Sequence, residues 1–261
     1  MIEFAVAVQP NGWPAWIENA ANLKFVRSLE CPGELLNTHR DLFAAADHQG
    51  LHWVHVRDMA PRTIGRHAGE GISYEGLHWH DVVADLMKSC AALGVRSVSL
   101  DAGLDRISES GFDEAFQRRL ALLEPVLLHA GSWGLRLCVE VRQPVAFPGS
   151  REWSYAGNLL YELRDHEVAL CVNVAPVELA GDFDMDTFAR RCALRTSVIR
   201  LMYYPHRGES PGDEMLAAWW KALRRHGFHG VVVFCPRVDD PDALPGILSR
   251  VDQWAAAGLE G

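Results

Sequence analysis

Residues 137–141 read Leu-Cys-Val-Glu-Val, and thirty-three positions on, residues 170–174 read Leu-Cys-Val-Asn-Val. Each is a short apolar run with one polar residue near its C-terminal end. Continuous apolar runs of four to eight residues mark strands buried on both faces, and such strands belong to parallel sheets covered by helices. A strand has a side-chain period of two, so Cys138, Glu140 and Arg142 share one face, as do Cys171 and Asn173. The polar member differs in kind. Glu140 is a carboxylate that attracts cations, whereas Asn173 is a neutral amide that offers them only its oxygen.

Similar runs recur along the chain, at 3–8, 23–29, 51–57, 95–101, 135–141, 168–174, 197–203 and 230–235. Between and after them lie stretches whose apolar residues recur every three or four positions: 14–21, 34–48, 80–93, 112–130, 153–165, 184–194, 213–226 and 241–257. That spacing predicts amphipathic helices. Gly50, Gly94, Gly134 and Gly227 each stand between a helix candidate and the next strand, where a left-handed residue closes the helix. Asp81 and the pair Asp213–Glu214 open helices, at the positive end of the helix dipole. Alternating strands and helices imply parallel strands joined by right-handed crossovers. Eight units in 261 residues predict a single (β/α)8 TIM barrel, an α/β fold, spanning 1–261. A doubly wound open sheet is the alternative, but no G-x-G-x-x-G follows the first strand and no phosphate-binding P-loop motif occurs.

The composition suits a large soluble core, with 49% hydrophobic and 23% charged residues and no linker-like or low-complexity tract. A net charge of −9 argues against a non-specific nucleic-acid surface, so no nucleic-acid partner is expected. No apolar stretch reaches membrane-spanning length, and the N-terminus, Met-Ile-Glu-Phe-Ala-Val, lacks the basic region of a signal peptide. The expectation is a cytoplasmic protein with no membrane partner. The six cysteines form no C-x-x-C pair, and they read as buried free thiols of a reducing compartment.

Barrels carry their chemistry at the C-terminal ends of their strands. The polar residues there are Arg57, Asp101, Glu140, Arg142, Asn173, Arg200, Tyr204 and His206. Glu140 between two valines and Arg200 between Ile199 and Leu201 are expected to face the barrel interior, since an ionised group cannot be buried against helices without a partner. Glu140 is the acid/base candidate. Arg57, Arg142 and Arg200 would hold anionic or hydroxyl groups, and Asp101, Asn173, Tyr204 and His206 would orient hydroxyls. The competing reading pairs these arginines and carboxylates into a structural network. Residues 58–78, with Arg62, Arg66, His67, Gly69 and Gly71, read as a long binding loop or lid after strand three. His78-Trp79-His80 sits at a helix entrance, where capping is the simpler reading. His52 and His55 point to opposite faces of their strand, and of Trp219 and Trp220 one is expected to face the core and the other outward.

Three of these segments carry a resemblance to the xylose isomerase-like barrels, the superfamily of sugar isomerases, sugar and sugar-phosphate epimerases and endonuclease IV-type enzymes. The stretch GLRLCVEV resembles the strand-five pattern that leads to a metal-binding glutamate. VALCVNVAPVELAG resembles strand six, an apolar run followed by Asp, two residues, His and then Ala-Gly. GFHGVVVFC resembles the last strand, which ends in a glutamate. The resemblance implies a divalent metal held by carboxylates and histidine, used with paired glutamates to move a proton or hydride between neighbouring sugar carbons. Position by position, Glu140 keeps the strand-five glutamate, Asn173 replaces the aspartate, and Pro176 replaces its histidine. Met202 lies near the strand-seven histidine and Cys235 at the final glutamate. Mg²⁺ or Mn²⁺ needs several hard oxygen ligands, which this set lacks. Zinc on Glu140, Cys235 and a histidine is not demanded by any spacing. No metal ligand set is assigned and no cofactor is expected. Two function classes follow: an isomerase/epimerase-like barrel acting on a small polyhydroxylated, sugar-like substrate with its metal site largely lost, or a catalytically silent barrel that binds a ligand or a partner protein. Homo-oligomerisation stays open.

Overall fold

The structure, a computed structural model, describes residues 2–38, 40–57, 79–101, 117, 120, 123, 126–141, 158–164, 166–175 and 185–260. Eight strands form a closed barrel in sequence order: β1 (Glu3–Ala7), β2 (Ser28–Pro32), β3 (His52–Arg57), β4 (Ser97–Asp101), β5 (Arg136–Val141), β6 (Val168–Val174), β7 (Thr196–Tyr203) and β8 (Val231–Pro236). Every pairing is parallel, and β8 closes on β1 through Glu3–Val231 to Val6–Phe234. The helices with described bounds are α1 (Trp13–Ala20), α2 (Gly33–Thr38), α3 (Arg40–His48), α4 (Trp79–Ala92), α5 (Met185–Arg195), α6 (Asp213–Arg225) and α7 (Leu244–Glu260). Residues 126–132 and 158–162 are also helical. The four glycines expected to close helices all have positive φ, between 66° and 73°.

The apolar residues divide into two cores. A large one lies between the barrel wall and the helices and includes Leu29, Val139, Val172, Ile199 and Trp220. A small one fills the barrel itself with Ala5, Val54, Cys138, Ala169, Cys171, Val198, Val233 and Cys235. Strand residues alternate between the two, as the period of two requires. Five cysteines, Cys31, Cys90, Cys138, Cys171 and Cys235, are buried, and Cys138, Cys171 and Cys235 are free thiols. Burial pushes Cys90, Cys138 and Cys235 up to about 12, so these thiols are protonated and unreactive at neutral pH.

Three sequence expectations need correction. The second strand is not 23–29 but Ser28–Pro32. Leu23 and Val26 are buried, yet the backbone N–H groups of Lys24, Phe25 and Val26 are bonded to the Asp252 carboxylate of α7, at 2.9, 2.7 and 3.1 Å. Donors committed to a side chain cannot join a ladder, so this apolar run is a connection clasped to the last helix. The helix expected over 34–48 is two helices, α2 and α3. Trp219 and Trp220 are both fully buried. Trp220 packs edge-on against Phe4 of β1, while Trp219 lies beside Phe188 of α5, so α6 buries one indole against the barrel and the other against its neighbouring helix.

Candidate active site

A layer of polar side chains crosses the barrel interior near the C-terminal ends of the strands. Glu30, His55, Ser99, Glu140, Asn173 and Arg200 are each buried, with at most 4% exposure. Strand geometry places them: Asp101 is in register with Glu140, Glu140 with Cys171, and Asn173 with Arg200. At β2 and β3 the register skips a residue after Leu29, so that Glu30 pairs with His55 and both enter the same layer.

The Arg200 guanidinium organises this layer. Its Nε donates to both oxygens of Glu30, at 3.0 and 2.9 Å, and its Nη1 donates to Asn173 Oδ1 at 2.7 Å. The same Nη1 lies 3.7 Å from Glu140 Oε1. Asn173 Nδ2 then donates to Glu140 Oε1 at 3.3 Å and to the Val141 carbonyl at 3.1 Å, which fixes the amide orientation. Ser99 Oγ donates to Glu140 Oε2 at 3.3 Å. The two carboxylates are therefore held differently. Glu30 has a short charge-assisted contact on each oxygen, whereas the contacts of Glu140 among the described residues are 3.3 Å or longer.

Burial alone would push Glu30 up, but Arg200, with His55 and Arg57, holds its carboxyl below the usual carboxylate value. Burial pulls His55 down to about 4, further than the facing carboxylates can offset. His55 is thus neutral at pH 7, and Arg200 is the charge that matters to Glu30. Burial would pull Arg200 down, but the facing carboxylates of Glu30 and Glu140 outweigh it and keep the guanidinium protonated. His55 Nδ1 and Ser97 Oγ share a hydrogen bond at 2.9 Å whose direction is set by the imidazole tautomer. The other ring nitrogen, Nε2, is buried and has no hydrogen-bond partner among the described residues.

The structure brings Glu140, Asn173 and Arg200 together. Arg57 ends β3, half-buried, near enough to Glu30 to lower its carboxyl, and its own Nε is buried without a hydrogen-bond partner among the described residues. Asp101 ends β4, but its side chain lies outside the described residues, as do Arg142, Pro176 and the 58–78 loop. Among the described residues, the side-chain contacts of Tyr204 and His206 lie outside this network. They form an outer cluster beyond β7, in which the Tyr204 ring meets His206 edge-on, Arg207 lies over it at 4.7 Å, and His206 Nε2 pairs with Asp239 at 3.1 Å. Sequence reasoning missed Glu30 and Ser99. The signal for Glu30 was present: Leu29-Glu30-Cys31 is a carboxylate between apolar residues, like Val139-Glu140-Val141. It was hidden by placing the start of the strand five residues too early.

No protein-family model matches the chain, and no curated protein sequence matches it. Solved structures do. The chain is similar to 3-keto-D-glucoside 4-epimerase from E. coli, with TM-score 0.68 and 14% identity over 97% of this chain and 100% of that one. It is similar to a xylose isomerase domain protein from Alicyclobacillus acidocaldarius, with TM-score 0.65 and 14% identity over 98% and 100%. It is also similar to an AP endonuclease of family 2 from Brucella melitensis, with TM-score 0.65 and 14% identity over 95% and 98%. The protein has the fold of the xylose isomerase-like barrels. These neighbours include an epimerase and a nuclease, so the fold by itself does not select a reaction.

Proposed function

We propose that this barrel binds a small polyhydroxylated, sugar-like molecule at the C-terminal mouth and acts on it as an isomerase/epimerase-like enzyme that uses no divalent metal. The observation that carries this reading is the position of Arg200. Asn173 stands where the resemblance puts an aspartate ligand, and its only metal-binding atom, Oδ1, is taken by the guanidinium at 2.7 Å. Met202 lies near a third ligand position and Cys235 at another, and the Cys235 thiol is held protonated by burial, at about 12. Thioether, protonated thiol and an occupied amide do not suit Mg²⁺ or Mn²⁺, and a fixed guanidinium repels a second cation from the same place. Among the described residues, no group of three His, Cys, Asp or Glu is placed to hold a metal. Arg200 supplies the positive charge that a metal would have supplied.

Glu140 is the proton-transfer group in this reading. Its long contacts leave it free to accept from a ligand hydroxyl or a C–H next to a carbonyl, while Glu30 is committed to Arg200. His55 Nε2 adds a buried ring nitrogen in the same layer that has no hydrogen-bond partner among the described residues. The acidic chain, at −9, is consistent with a sugar-like substrate rather than nucleic acid.

The test is solvent deuterium exchange. A panel of ketoses and aldoses, including D-tagatose, is incubated with the protein in D₂O and followed by NMR. Deuterium at a carbon adjacent to a carbonyl, unaffected by EDTA and lost in Glu140→Gln, is the expected result. Exchange that requires added metal would refute the metal-free assignment, and unchanged exchange in Glu140→Gln would refute the role of Glu140. The extent to which Arg200, Glu30 and Asn173 satisfy one another favours one second reading, a silent ligand-binding barrel. Saturable sugar binding with no exchange for any sugar selects it.

A further inference from the structure

The opposite end of the barrel also carries a cavity. Its volume is about 770 Å³, and the starts of several strands line it, from Glu3 and Ser97 to Arg136, Thr196 and Val231. Val54 and Ala169, small or medium side chains of the barrel interior, are among the residues that line it.

The wall chemistry is cationic, although the whole chain is acidic. Four guanidinium groups line the cavity, those of Arg96, Arg136, Arg164 and Arg195, against two carboxylates, Glu3 and Glu167. Glu3 is already used: it pairs with Arg96 and accepts from Ser28 Oγ at 2.6 Å. Among the described residues no carboxylate pairs with the other three arginines. Arg164 bonds the Tyr161 carbonyl at 3.1 Å and lies over the Tyr161 ring, and Arg136 donates to Ser197 Oγ at 3.3 Å. Arg195 ends α5, where a cation also complements the helix dipole. No helix end accounts for Arg136, which is the first residue of β5 and shares its face with Cys138 and Glu140. A second observation is independent of charge. Thr196, 8% exposed, lines the same cavity, and its Oγ1 is buried with no hydrogen-bond partner among the described residues. A buried hydroxyl without a partner costs stability unless something in the cavity completes it.

We infer that the N-terminal face of the barrel is a binding site for a small phosphorylated molecule, separate from the sugar-like site at the other mouth. Guanidinium forks match phosphate oxygens, Thr196 Oγ1 supplies a neutral donor, and the cavity has room for an organic group beyond the phosphate. The inference does not depend on turnover at the C-terminal mouth.

Isothermal titration with inorganic phosphate, pyrophosphate and a sugar monophosphate tests it, against sodium chloride at matched ionic strength. One-to-one saturable binding of at least one phosphate probe is expected, tightest for the sugar monophosphate if the organic group also contacts the wall. Arg136→Gln combined with Arg195→Gln should weaken it about tenfold or more. Both side chains are exposed, so the variant should keep the melting temperature of the parent. Thr196→Val, which is nearly isosteric, gives a second reading and should weaken binding several-fold. No saturable heat with any phosphate probe, or equal affinity in the arginine double variant and the parent, would overturn the inference.

Discussion

Replacing Arg200 by Met should reveal how unequally the two buried carboxylates depend on it. The substitution keeps an unbranched stem and removes the guanidinium that gives Glu30 two bonds, at 3.0 and 2.9 Å, in a site where both side chains are 2% exposed. Removing one partner of a buried pair leaves the other charge without compensation and typically costs about 3–5 kcal/mol. For a domain of this size that corresponds to a fall in Tm on the order of 10 °C. Adding Glu30→Gln removes the stranded charge, so the double variant should be more stable than the sum of the single changes by about 1–3 kcal/mol. Glu140 lies 3.7 Å from Arg200 Nη1 and also has Ser99 and Asn173, so the Arg200→Met/Glu140→Gln pair should show much weaker coupling. Urea denaturation of the parent, the three single variants and the two doubles measures both couplings, provided the m-values agree. Equal couplings, or additivity of Glu30 and Arg200 within about 0.5 kcal/mol, would refute the division into a committed and an available carboxylate.

The protein should also be acid-labile in a defined window. His55 is held down to about 4 in the fold against an ordinary 6.5, so the unfolded chain takes up its proton first as pH falls. That stabilisation is complete above pH 6.5 and is lost progressively towards 4, with about 2 kcal/mol gone at pH 5. Glu30 acts in the same direction but lower, its contribution being full above the ordinary carboxylate value and lost as pH falls through its depressed folded value. Urea melts at pH 7.5 and 5 check this, and an unchanged pH dependence in His55→Asn would contradict it. At the other end of the molecule, Asp252→Ala strands three backbone donors of the α1–β2 connection and should cost about 2–3 kcal/mol. Asp252→Asn keeps one acceptor oxygen and should cost less, as thermal unfolding would report.

The strands and helices were largely legible because their signals are local. Periodicity of two or three to four, and a glycine at the end of a helix, are properties of neighbouring residues, and they located seven of the eight strands. The second strand was misplaced because Leu23 and Val26 carry the apolar signal of a strand, while what keeps them out of the ladder is Asp252, more than 220 residues away. Trp219 and Trp220 were misjudged for a related reason: a helix wedged between barrel and neighbour buries more than one face.

The candidate site divides along the same line. Local sequence determined that Glu140, Asn173 and Arg200 sit at the ends of buried strands and face inward, because alternation and the cost of burying charge leave no other direction. Only the tertiary structure decided whom they meet. Glu30 and Arg200 are 170 residues apart and touch because the barrel closes. The skip in register at β2 and β3 carries His55 into the same layer. Whether a guanidinium or a metal ion would take the centre of that layer could not be read from spacing, since it depends on which side chains reach across the barrel once eight strands share one axis.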